Sequence, residues 1–259
     1  RVKNDECLRN AVTWLDRAGL SPWSLSVFVQ HSTELQEVSD IEPEHYKTLS
    51  NALDGHTGSL QRLRWHVRDF EFGLQGLSFP NLASLVIIFE DIGDEVDNVF
   101  NLPSLPCLTQ LVISLQDHAS VLNSNIPWSQ LTHLYLGSGL PFNQWKLIMK
   151  MCRMLEKGCF RLCLCRLAGR PYTDPNATMV TTLPHLKELT FLESWVFTEP
   201  ITELSLPALW KVEEFSRAQG IDVNSDFTAM WNPQLSALFA NITHLNLSTG
   251  LSGSELATI

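Results

Sequence analysis

The sequence predicts an α/β fold: an irregular leucine-rich-repeat solenoid in which short parallel strands alternate with helices and loops. Three observations predict it. One phrase recurs along the chain, as "FPNLASLVI", "LPCLTQLVI", "IPWSQLTHLYL", "LPHLKELTF" and "FANITHLNL", each carrying an L-x-x-L-x-L pattern or a close aliphatic variant. Its markers, taken as Leu63, Leu85, Leu111, Leu134, Cys159, Leu189, Val212 and Leu245, lie 22, 26, 23, 25, 30, 23 and 33 residues apart. Most of these gaps fall within the roughly 20–29 residue period of leucine-rich repeats, and the longer ones can hold a loop insertion. A proline also stands before most phrases, at Pro80, Pro106, Pro127, Pro184 and Pro207, restricting the residue ahead of it and ending whatever helix came before.

The spacing inside each phrase explains why the copies must stack. In "LTHLYL", Leu134 and Leu136 share one face of a strand, while Leu131 reaches the same interior from the preceding turn. One such unit cannot cover its own apolar face, so the next copy covers it and each contacts mainly its neighbours. The whole chain, 1–259, is expected to be a single leucine-rich-repeat domain: residues 1–56 form a helix-strand-helix cap and residues 57–259 about eight irregular repeats.

In order along the chain, Leu8, Ala11, Val12 and Leu15 make a helical stripe that stops at Gly19 and Pro22, and the strand-like "LSVFV" follows. A second helix is expected from about Glu44 to Leu53, with Gly55 as its stop. After Leu136, Trp145, Ile148, Met149, Cys152 and Leu155 fall on one helical stripe, with Asn143 as its cap. Residues 220–233 read as loop with one short helix.

Hydrophobic residues make up 44% and charged residues 18% of the chain, the balance of a folded globular protein. A net charge of -10 and a pI near 5.2 disfavour binding to a nucleic-acid backbone. No run approaches the ~18 consecutive apolar residues of a membrane-spanning helix. The expected localisation is therefore cytoplasmic or nuclear. The acidic run "EDIGDEVD" reads as a solvated loop, because Gly93 falls in the wrong register for a twelve-residue calcium loop.

Of six cysteines, Cys152, Cys159, Cys163 and Cys165 cluster within "CRMLEKGCFRLCLC". They alternate with Phe160, Leu162 and Leu164 instead of forming two short ligand pairs, so buried reduced thiols in a reducing compartment are expected, and no zinc site. No phosphate cradle, dinucleotide fingerprint, nucleophile elbow or metalloprotease motif occurs, and "GLSG" at Gly250 to Gly253 reads as a loop. His133, His185 and His244 recur with the repeat, which accounts for them without catalysis. Sequons stand at Asn176, Asn241 and Asn246, and Asn246 lies inside an expected strand. No catalytic, cofactor-binding or metal-ligating residue is expected, and no cofactor.

Taken together, "LRNAVTWLDRAGLSPWSLSVFV", "IPWSQLTHLYL", "MKMCRMLEKGCFRL" and "LSLPALWKVEEF" resemble the leucine-rich-repeat region of fungal F-box proteins, the mushroom-type group in particular. The most specific marks are Pro127, Trp128, Leu131, Leu134 and Leu136, then Cys152 with Leu155 closing the following helix. The resemblance implies a non-catalytic substrate receptor whose ubiquitin-ligase adaptor would bind an N-terminal F-box, a segment with no counterpart in this sequence. The Asn or Cys that closes each turn of regular repeats is missing at Arg68, Glu90, Gln116, Gly139, Ser194 and Gly250, so an irregular solenoid is expected.

Residues flanking the inward leucines should pave a concave face for a protein target. They are Arg62, Arg64 and His66; Val86 and Ile88; Val112 and Ser114; His133 and Tyr135; Glu188 and Thr190; His244 and Asn246. This set is polar at both ends and apolar in its middle, as protein-binding patches tend to be. Two alternatives stay open. One is a parallel β-solenoid enzyme acting on polysaccharide, for which Glu188 and Glu213 are the closest carboxylate pair. The other is a repeat scaffold with no ligase link.

Overall fold

A computed structural model describes residues 10, 13–15, 17, 21–28, 51, 53–67, 77–89, 102, 104–114, 121–163, 180–192, 204–215 and 241–247. The chain divides into two compact units, Arg1–Pro127 and Trp128–Ile259. Each contains a ladder of parallel strands wound as a β-solenoid with few helices.

In the first unit the strands are β1 (Trp23–Phe28), β2 (Leu60–Val67), β3 (Ser84–Phe89) and β4 (Gln110–Ser114), paired in chain order and parallel throughout. Leu25, Leu63, Leu85 and Leu111 form one inward rung, and Val27, Trp65, Ile87 and Ile113 the next. Leu63, Leu85 and Leu111 are at most 1% exposed. At about 1.5–3 kcal/mol for each fully buried aliphatic side chain, such rungs are the main favourable term in each coil. Before the ladder, residues 13–15 are helical, Leu15 is buried, and Trp14 meets Trp23 edge to face at 5.9 Å. Leu8, Ala11, Val12 and Gly19 of the expected stripe lie outside the described residues. The second expected helix ends as foreseen, with Leu53 and Asp54 helical and Gly55 in the turn; its start lies outside the described residues.

In the second unit the main ladder runs β5 (His133–Pro141), β6 (Lys157–Cys163), β8 (Glu188–Leu192), β10 (Lys211–Phe215) and β11 (His244–Leu247), again parallel. A second small ladder joins β7 (Thr181–Thr182) to β9 (Leu204–Ser205). One α-helix with two strands around it, α1 (Phe142–Met151), connects β5 to β6. Its Trp145 is fully buried and packs against Phe142 at 5.4 Å, Phe191 at 5.7 Å and Phe160 at 6.2 Å. Ile148, Met149, Cys152 and Leu155 are also fully buried, as the helical stripe predicts.

The recurring proline has a different role from the expected one. In "FPNL", "LPCL", "LPHL" and "LPAL" it is the second residue of a tight turn, where its fixed φ is already right. The closing leucine N–H donates back to the first carbonyl: Leu82 to Phe79, Leu108 to Leu105, Leu186 to Leu183 and Leu209 to Leu206. Leu82, Leu108, Leu186 and Leu209 then enter the core. What precedes Pro184 and Pro207 is β7 and β9, not a helix, and a bridge between Ser78 and Ser104 occupies the matching place before Pro80 and Pro106. At Pro127 the turn is displaced and runs from Trp128 to Leu131 instead.

Two further expectations are corrected. Asn143 does not cap α1: the helix begins at Phe142 with Pro141 at the cap position and no side-chain cap, while the Asn143 Oδ1 accepts from the neighbouring Gln144 N–H. The strand before it also runs on past Leu136 to Pro141, leaving no room for a cap so late. The marker in β6 is Gly158, not Cys159: Gly158 lies between Leu134 and Leu189, and Cys159 between Tyr135 and Thr190. A Cβ on Gly158 would come within 2.6 Å of the Phe160 ring, so the glycine makes room for an aromatic that fills the rung from two residues on.

The coils are also joined by backbone hydrogen bonds at the start of their strands. One carbonyl per coil accepts two consecutive N–H groups from the next: Ala83 from Thr109 and Gln110, Thr132 from Glu156 and Lys157, Glu156 from Lys187 and Glu188, Lys187 from Trp210 and Lys211, and Trp210 from Thr243 and His244. These shared bonds satisfy backbone groups where each coil enters its strand. Of the expected turn-closing positions only Gly139, in β5, falls among the described residues.

Candidate functional site: the outer face of the two ladders

Because strand side chains alternate, each inward rung implies an outward one. In the first unit β2 directs Arg62, Arg64 and His66 outward, β3 Ser84, Val86 and Ile88, and β4 Gln110, Val112 and Ser114. Arg62 and Arg64 are exposed; Val86, Ile88, Val112 and Ser114 are half-buried. Ser24 and Ser26 of β1 are exposed beside Arg62 and Arg64. A basic strand thus flanks a strip of aliphatic side chains, and none of these outward positions holds a carboxylate.

The second unit's face is organised by charge pairs. One rung reads His133, Lys157, Glu188, Lys211, His244, and the next Tyr135, Cys159, Thr190, Glu213, Asn246. The Lys157 Nζ lies 2.7 Å from the Glu188 carboxylate and the Lys211 Nζ 3.0 Å from that of Glu213. Below them Lys187 meets Glu156 at 2.8 Å, and its hydrogen bond and charge hold the Glu156 carboxyl below the usual carboxylate range.

Every residue expected on the outer face is therefore on it: those of β2, β3 and β4 lie together in one unit, and His133, Tyr135, Glu188, Thr190, His244 and Asn246 in the other. Lys157, Cys159 and Lys211 share that second face and were missed by sequence reasoning. For Cys159 a signal was available. The leading aliphatic stands three residues before the marker in every other phrase, as in Leu82 and Leu85 or Leu131 and Leu134, and the same count from Leu155 gives Gly158.

The chemistry this face offers is limited. Glu188 and Glu213, the best pair for a glycosidase, stand on different rungs and each meets a lysine. His133 and His244 occupy opposite ends of one rung, about 19 Å apart at ~4.8 Å per strand, too far to share a metal or a proton. Each instead lies 3.0 Å from the hydroxyl of the threonine before it. His185 sits in an exposed turn. Burial raises the Cys159 thiol to about 11, with Glu213 adding to the effect, and burial alone raises Cys152 to about 12. Both stay protonated at neutral pH, the opposite of what a nucleophile or thiolate ligand needs. No group of three or more metal-ligating side chains occurs among the described residues, and no helix among them is long and apolar enough to cross a membrane. Cys163 has no described side chain, and Cys165, Asn176, the acidic run from Glu90 and the residues 220–233 and 250–253 lie outside the described residues. Asn241 is exposed and donates to the Pro207 carbonyl, and Asn246 is exposed in β11.

No family model, no curated protein and no solved structure matches the chain.

Proposed function

We propose that this chain is a non-catalytic protein-binding module, built as an irregular leucine-rich-repeat solenoid, and that it serves as the substrate-receptor part of an F-box-type ubiquitin-ligase adaptor. The observation that carries the binding half is the outer face of β2 to β4, where Val86, Ile88 and Val112 are only half-buried and lie beside exposed arginines. Aliphatic groups left partly in water next to Arg are what a partner's surface can cover with a gain in free energy. The ligase half, and the fungal origin and intracellular setting that go with it, rest on the resemblance at Pro127, Trp128, Leu131, Leu134 and Leu136. The repeat spacing and the proline turns support the leucine-rich-repeat assignment.

The test is affinity purification of the protein from its native cells with any adjoining segments intact. The proposal expects a target protein together with a cullin-linked adaptor. A target without the adaptor removes the ligase half and leaves the binding module; neither one removes both.

A further inference from the structure

We draw no further inference here: the strongest candidate, the strip of half-buried Val86, Ile88 and Val112 on the outer face of β3 and β4, carries nothing because nothing in the structure shows what covers it.

Discussion

The two units use the same strand geometry and differ in what they do with each side of it. Inside, the first unit fills its rungs mostly with leucine, isoleucine and valine, whereas the second inserts α1 and builds a ring cluster of Trp145, Phe160 and Phe191. Outside, the first leaves arginines beside an aliphatic strip, and the second closes its lysines onto glutamates. A parallel ladder fixes only which residues neighbour each other; the neighbours decide whether a face is satisfied alone or needs a partner. The second face has spent its charges on itself.

That contrast can be broken or sharpened from the core outward. The largest effect is expected from Trp145→Ala, which removes the centre of the ring cluster and should cost about 3–5 kcal/mol in urea unfolding. Leu85→Ala in the first unit should cost about 2–5 kcal/mol in the same measurement. A loss under about 1 kcal/mol at Trp145 would mean that the cluster does not hold the second unit. Gly158→Ala should cost about 1–3 kcal/mol, because the added methyl meets a Phe160 ring that Trp145 prevents from turning away. If Phe160→Leu does not relieve that cost, the steric reading is wrong.

The next effect appears only in alkali. Folding raises the Cys152 thiol from 9.0 to about 12, so the folded state holds its proton where the unfolded chain releases it. Stability from this group is intact below pH 9 and falls as pH rises from there toward the folded value. Replacing Cys152 with Ala should flatten the alkaline arm of a stability-against-pH curve; an unchanged slope would refute the assignment. Smallest is the surface pairing. Lys157→Ala should cost no more than about 1 kcal/mol and lose its effect in high salt, because the lysine is 48% exposed and the pair is screened.

Much of this fold was legible in the sequence because the inward rungs repeat one residue type at one spacing. Leu63, Leu85, Leu111, Leu134 and Leu189 are all marker leucines and all are buried on inward rungs. Cys159 misled for a physical reason: glycine has no hydrophobicity to signal an inward position, and here Phe160 supplies it from elsewhere. The prolines were legible as breaks but not as turn formers, since a fixed φ suits both roles and only the hydrogen bonds from Leu82 and its equivalents separate them. On the outer face the residues could be picked by counting from the leucines. Of their charge pairings, Lys211 with Glu213 is readable as neighbours two apart on one strand face, whereas Lys157 with Glu188 is not, because it depends on the register between coils of unequal length.

Methyl-resolved NMR of chain labelled at its valines and isoleucines, titrated with a target protein recovered by the affinity purification, tests the contrast most directly. The account predicts that the Val86, Ile88 and Val112 methyls shift saturably while Ile148 and Val212 stay in place. Shifts confined to Val212, or none at any of the outward methyls, would contradict it.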